Sequence, residues 1–190
     1  VKRILVEETV LEEFTNKFVA MAKEFTVGDP ADEATRIGTV IDEPAAIVLE
    51  ERVAKAVAAG AEVLLGGQRN GAQLEPTIIA NVPRDAEMVC EESFGPLAPI
   101  MPVRDLDDAI ALANASDFGL SSGVVTNDMA AAIRVVKELK TGAVNVNQVP
   151  GFRMESSPFG GVKDSGLGIK EGVIEAMKFM TTTKTFSLPW

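Results

Sequence analysis

The chain contains no histidine and no tyrosine, one cysteine and one tryptophan. Without histidine, an imidazole acid, base or metal ligand within this chain is excluded, and no metal site is expected. The one thiol, Cys90, cannot close an internal disulfide, which fits a reducing compartment and sets the expectation of a cytoplasmic location. No apolar run approaches the roughly 20 residues that a membrane helix needs. Positive charge is scarce: 18 Lys and Arg stand against 28 Asp and Glu, for a formal net charge of −10. That balance argues against nucleic acid and anionic membranes as partners, because both call for basic surface. An initiator methionine is missing too, and "VKRILVEE" at Val1 already reads as a strand. A chain that starts inside an element is expected to be a piece of a longer one.

What is present is an ordinary globular composition, 46% hydrophobic and 24% charged over 190 residues. The length allows one domain of usual size with a real core. Arg3–Val6 is a strand candidate. Thr9 and Glu12 form a capping box, and Phe14, Phe18, Met21 and Phe25 follow at helical spacing, so a core-facing helix is predicted from about Val10 to Phe25. A polar loop leads to Pro44, which starts a helix carrying Ile47, Val48, Val53 and Val57 and ended by Gly60. "AEVLLGG", "EPTIIANV", "LAPIMPV", "SGVVT" and "AVNVN" read as strands. A short helix, Leu106 to Ala113, follows Asp105, and a longer one is capped by Asn127 or Asp128, runs to Leu139 and is ended by Gly142. Strands and helices alternate, and the strands are apolar on consecutive positions. The expected fold class is therefore α/β, a mostly parallel sheet flanked by helices. A short helical stretch is expected near residues 172–178. The tail "TTTKTFSL" is rich in β-branched residues and reads as a last strand without a local hairpin partner.

"SSPFGGVKDSGLG" (Ser156 to Gly168) holds four glycines, and Gly161 and Gly166 stand at the Gly-x-x-x-x-Gly spacing of a phosphate loop. Such a loop needs Lys-Ser or Lys-Thr after the second glycine, whereas here Leu167 and Gly168 follow. The glycines are read instead as permitting tight turns and close backbone packing.

Seven stretches in order, "VGDPADEATRIGTVID", "GAEVLLGG", "EPTIIANV", "EESFGPLAPI", "DFGLSSGVVTND", "TGAVNVN" and "SPFGGVKDSGLG", resemble the aldehyde dehydrogenase superfamily over nearly the whole chain. The resemblance implies that the nucleophilic cysteine and general-base glutamate lie upstream of Val1, together with a Rossmann-like cofactor domain. Residues 1–180 would then be an incomplete catalytic domain and 181–190 an oligomerisation strand. In relatives a cysteine thiolate attacks the aldehyde, hydride passes to NAD or NADP, and an activated water hydrolyses the thioester. Cys90 precedes the Glu-Glu-x-Phe-Gly-Pro motif, where the nucleophile does not sit, and no cation lies near it in sequence; it is read as an incidental thiol.

By the same resemblance Glu92 holds the nicotinamide ribose through both hydroxyls, Phe94 packs beside the nicotinamide, and Leu120 is a weaker contact on that side. The alternatives are an acidic surface turn with Phe94 in the core, and core packing for Leu120. Phe152 and Phe159 would wall a substrate tunnel. Arg153 either offers its fork to an anionic substrate or makes a surface salt bridge, with Glu155 as the partner in reach. "GFRMESSPFGGVKDSGLG" is most similar to the phosphonoacetaldehyde dehydrogenases and their neighbours for glyceraldehyde-3-phosphate, lactaldehyde and succinate semialdehyde. The expected substrate is therefore a small anionic aldehyde, handled by a homo-oligomer, a dimer or tetramer whose tail pairs with another protomer or else packs on its own subunit. A non-catalytic oligomerisation or binding module derived from the same family is the alternative.

Overall fold

The computed structural model describes residues 2–189. They fall into two compact units, one up to Ala109 and one from Ile110 on. The expected segments end at Val1 and Trp190, which lie outside the described residues.

The first unit is built on β1 (Ile4–Glu7), α1 (Leu11–Ala22), α2 (Glu43–Ala58), β2 (Glu62–Leu65), the short hairpin β3 (Arg69–Asn70) and β4 (Gln73–Leu74), β5 (Thr77–Ala80), the single turn α3 (Glu87–Cys90), β6 (Leu97–Val103) and the start of α4 (Leu106–Asn114). Four strands form one sheet in the order β1-β6-β5-β2. β6 runs parallel to both β1 and β5, whereas β2 is antiparallel to β5. The reversal has a simple cause: only the β3–β4 hairpin separates β2 from β5, too little chain for the crossover that a parallel pair requires. On one face Val6, Ile78 and Ile100 pack against Leu11, Phe14, Phe18, Val19 and Ala22 of α1. On the opposite alternation Ile79, Leu97, Met101 and Val103 are buried as well, so both faces of the sheet are covered. Burying a side chain such as Ile78 or Ile79 stabilises by about 1.5–3 kcal/mol.

Three local expectations give way here. Thr9 sits inside a 3-10 turn (Glu8–Val10), and α1 begins after Val10 with no side-chain cap. Phe14 and Phe18 do stack, with ring centroids 5.5 Å apart. However, Met21 is 66% exposed and Phe25 lies beyond the helix end. The core-facing stripe, partly buried, is rotated toward Leu11, Val19 and Ala22, and two overlapping stripes share the same phenylalanines at 3.6-residue periodicity. On α2 the buried face is Ala46, Leu49, Val53 and Ala56, leaving Ile47, Val48 and Val57 exposed. Its ends are as read, with Pro44 in the first turn and Gly60 after the last turn at φ 102°; the structure adds Asp42 as the cap, accepting from the Ala45 N–H at 2.8 Å.

Asp105 caps α4 by accepting from the Asp108 N–H at 2.9 Å. The Asp108 carboxylate is nearly buried and takes both arms of the Arg84 guanidinium, at 2.8 and 2.9 Å, together with the Arg104 N–H at 3.2 Å. The Arg84 hydrogen bonds first, then that backbone donor, hold its carboxyl well below the usual carboxylate range. The pair fastens the loop after β5 to the start of α4.

The second unit holds β7 (Phe118–Gly119), β8 (Ser121–Val124), α5 (Met129–Glu138), β9 (Ala143–Val146), β10 (Val162–Lys163) and α6 (Val173–Met180). β8 and β9 are parallel and joined through α5, a β-α-β unit; β7 and β10 form a two-residue antiparallel ladder. Asp128, not Asn127, is the cap of α5, accepting from Ala130 and Ala131 N–H groups at 2.8 and 3.3 Å. Gly142 does not end that helix, whose cap is Leu139 with φ −70°. Residues 181–189 are exposed throughout and make no strand ladder in this chain.

Candidate functional site

In the first unit, the stretch between α3 and β6 carries Glu92 and Phe94. Glu92 is exposed, and Phe94 is 83% exposed, so the alternative that put this ring in the core is removed. Phe94 also adopts φ 28°, a left-handed conformation that costs a non-glycine residue about 1–3 kcal/mol and persists only where surroundings impose it. The surroundings do so through the backbone. Lys2 Nζ donates to the Cys90 carbonyl at 2.7 Å, and Arg52 Nη1 donates to the Glu92 carbonyl at 2.6 Å and to Ser93 Oγ at 3.2 Å. A Cβ on Gly95 would collide with Leu49 of α2, so the loop also sits directly on that helix. The loop lines a cavity of ≈ 230 Å³ shared with Lys2, Met88, Leu97 and Pro99. Burial above all, and neighbouring Arg3, push the Lys2 pKa down, while Glu92 and Glu91 oppose the shift. Cys90 is exposed at the end of α3, and the fold brings Lys2 to its carbonyl, a cation that sequence proximity does not reveal.

In the second unit, Arg153 and Phe159 are brought together. The Arg153 guanidinium lies over the Phe159 ring, 4.9 Å from its centroid, and pairs with Glu171. Glu155, its expected partner, is displaced by Glu171 because Phe159 and Glu171 are bridged backbone to backbone, with N–H···O distances of 3.2 and 3.0 Å. Phe152 is half-exposed in a turn gathered by Asn145, whose Nδ2 donates to the carbonyls of Val149, Pro150 and Phe152 at 3.2–3.3 Å. Leu120 is 44% exposed, which removes the core-packing alternative. Arg52 and Glu171 were invisible as site residues in the sequence, because each acts through a partner many positions away; Asn145 acts within its own turn, but no motif marks it.

The glycine-rich loop folds on itself. Gly168 N–H donates to the Gly161 carbonyl at 3.2 Å, and Ser165 Oγ accepts from Gly119 N–H at 2.9 Å. Its lysine is engaged as well: Lys163 Nζ donates to the carbonyls of Asn114 and Ser116 at 2.9 and 2.6 Å, capping the end of α4. The Ser165 hydroxyl and the Lys163 ammonium are thus both engaged by backbone groups.

Glu92 and Phe94, both exposed on a clamped backbone, suit a ribose and a flat ring: a carboxylate can accept from two vicinal hydroxyls, and an aromatic face can lie beside a nicotinamide. Residues 1–186 match the aldehyde dehydrogenase family. This chain belongs to the aldehyde dehydrogenase family. It is 40% identical over 185 residues to the lactaldehyde dehydrogenase of Methanococcus maripaludis, covering 97% of this chain and 39% of that protein. It is 37% identical over 184 residues to the sulfoacetaldehyde dehydrogenase of Neptuniibacter caesariensis, covering 97% of this chain and 40% of that protein. Among solved structures it resembles the glyceraldehyde-3-phosphate dehydrogenase of Methanocaldococcus jannaschii complexed with NADP, at a TM-score of 0.90 and 40% identity, over 95% of this chain and 39% of that one. The chain thus spans about two-fifths of the length of the aldehyde dehydrogenases it matches. Among the described residues no helix is long and apolar enough to cross a membrane.

Proposed function

We propose that this chain is the C-terminal part of an NAD- or NADP-dependent aldehyde dehydrogenase that oxidises a small anionic aldehyde to its acid. The observation that carries the reading is the Glu92–Phe94 loop, clamped at its carbonyls with both functional side chains turned to solvent in a member of this family. When bound, NAD or NADP supplies the hydride acceptor. Glu92 holds the ribose by accepting from its hydroxyls, and Phe94 limits the tilt of the nicotinamide; Leu120 adds a contact on that side. Such orientation matters because hydride transfer tolerates little misplacement. Phe152 and Phe159 wall the substrate, and Arg153 meets its anionic end. Sulfoacetaldehyde and glyceraldehyde-3-phosphate, from which two of the relatives take their names, are both small anionic aldehydes. Phosphonoacetaldehyde is the favoured substrate of this chain, ahead of lactaldehyde, glyceraldehyde-3-phosphate and succinate semialdehyde. The single cysteine supports a cytoplasmic setting.

The test is steady-state oxidation by the enzyme that carries this chain. The kcat/KM for phosphonoacetaldehyde should exceed that for propanal by about tenfold or more, the worth of one charge-assisted contact. Parity between the two aldehydes would sink the anionic assignment.

The tail forms the oligomerisation strand. Support comes from residues 181–189, which are exposed and unpaired by any ladder among the described residues although four of the nine are β-branched threonines. Deleting residues 182–190 should at least halve the mass seen by light scattering; an oligomer of unchanged size would count against the assignment.

A further inference from the structure

We infer that Arg52 is a positioning residue for hydride transfer, acting from α2 on the backbone of the Glu92–Phe94 loop without touching the cofactor. The inference rests on the cofactor role proposed for Glu92 and Phe94. Arg52 has the attributes of a fixed clamp. Its side chain is only 12% exposed, and all three of its bonds come from one planar fork: Nε to Glu87 Oε1 at 3.0 Å, and Nη1 to the Glu92 carbonyl and Ser93 Oγ. The anion that orients it is itself held, since Lys55 Nζ reaches Glu87 Oε2 at 2.6 Å. Those bonds, Lys55 first and then Arg52, push the Glu87 pKa down, so Glu87 stays ionised at neutral pH and the fork keeps its anchor. Lys55, Glu87 and Arg52 therefore form a chain of contacts that starts on the outer face of α2 and ends on a carbonyl of the loop.

The bond to the Glu92 carbonyl is the one that matters for chemistry. Phe94 lies two residues on, at φ 28°. Without a restraint on its flanks, a phenylalanine relaxes to negative φ, which would swing its ring and turn the Glu92 carboxylate away with it. The Lys2 bond holds the α3 end of the stretch at Cys90, and Leu49 lies beneath Gly95. Arg52 alone among these reaches the two residues between Glu91 and Phe94. A merely structural arginine would stabilise the unit; a positioning arginine also sets how well the nicotinamide is aligned.

Two readouts separate these roles. In Arg52→Met, amide exchange across residues 91–95 should accelerate at least tenfold. In the enzyme carrying this chain, kcat should fall about tenfold and the primary isotope effect with deuterated aldehyde should rise, while KM for the aldehyde changes less than twofold. Arg52→Lys keeps a cation and donors but not the planar fork, and should recover part of both effects. Glu87→Gln, which loosens the anchor while keeping its shape, should shift both readouts in the same direction and carries the test if Arg52→Met does not fold. Unchanged exchange at residues 91–95 in the Arg52 variants would overturn the clamp. Faster exchange with unaltered kcat and isotope effect would leave the clamp standing and overturn the cofactor role of Glu92 and Phe94 on which the inference rests.

Discussion

Replacing Gly160 by alanine should destabilise the protein by about 3 kcal/mol, the upper part of the range for forcing atoms into a closed space. A Cβ at this position would run into the Gly168 carbonyl oxygen, and would lie 2.6 Å from Ile169 Cα and 2.7 Å from the Gly168 carbonyl carbon. All three are backbone atoms, so no side chain can rotate away to make room. The neighbourhood offers no slack either, because a Cβ on Gly142 would meet the Gly160 carbonyl in turn, and one on Gly161 would meet Ser165. Relief requires the loop to move as a body, which breaks the Gly168–Gly161 bond and the Phe159–Glu171 bridge. Gly151 is the internal control: a Cβ there has nothing within 4 Å, and alanine should be nearly neutral. Urea midpoints of the two variants decide the matter. Equal midpoints for Gly160→Ala and Gly151→Ala would refute the account of close backbone approach.

Arg153→Ala should raise KM for an anionic aldehyde by about 10- to 100-fold and leave KM for a neutral aldehyde within about twofold, since charge-assisted hydrogen bonds contribute roughly 1.5–3 kcal/mol. The geometry adds a competitor. Arg153 is paired with Glu171, and both side chains are about half exposed, at 50% and 56%. An ion pair so open to water is worth about 0–1 kcal/mol, so an incoming anion can take over the guanidinium at small cost. The Phe159 face keeps the guanidinium in place while its partner changes. Removing the competitor with Glu171→Gln should accordingly lower KM for the anionic substrate in the same assay. A proportional rise in KM for both aldehydes in Arg153→Ala would mean that the residue supports the loop rather than the substrate.

The elements of this fold were largely legible in the sequence because each carried its own punctuation. Pro44 and Gly60 bound α2, and Asp105 and Asp128 cap α4 and α5. The strands β5 and β6 announced themselves by consecutive apolar residues. What was misread depends on partners that a local pattern does not contain. The buried side of α1 is chosen by Val6, Ile78 and Ile100, residues far along the chain. The direction of β2 was left open by the expectation of a mostly parallel sheet, and it is decided by the length of its connection rather than by its composition. Gly142 looked like a helix terminator beside Leu139, yet its lack of a side chain answers to Gly160.

The site shows the same division. Glu92, Phe94 and Arg153 were named from motif and residue type, and the structure places Glu92 and Phe94 on one clamped loop and Arg153 against Phe159. The groups that hold them were not named. Arg52 reads as one charge among many on a helix until its bond to the Glu92 carbonyl is seen, 40 positions away. Glu171 reads as a loop carboxylate until the Phe159 bridge sets it beside Arg153.

The exposed Phe94 ring has a thermodynamic consequence. Its backbone conformation is settled when the protein folds, so a ligand that lies against the ring does not have to order it. Association at this point then involves mainly the transfer of a ready-made apolar surface out of water, and its signature is a negative change in heat capacity rather than a large entropic penalty. In the cofactor role proposed for it, the strained phenylalanine would move part of the work of recognition from the moment of encounter to the moment of folding.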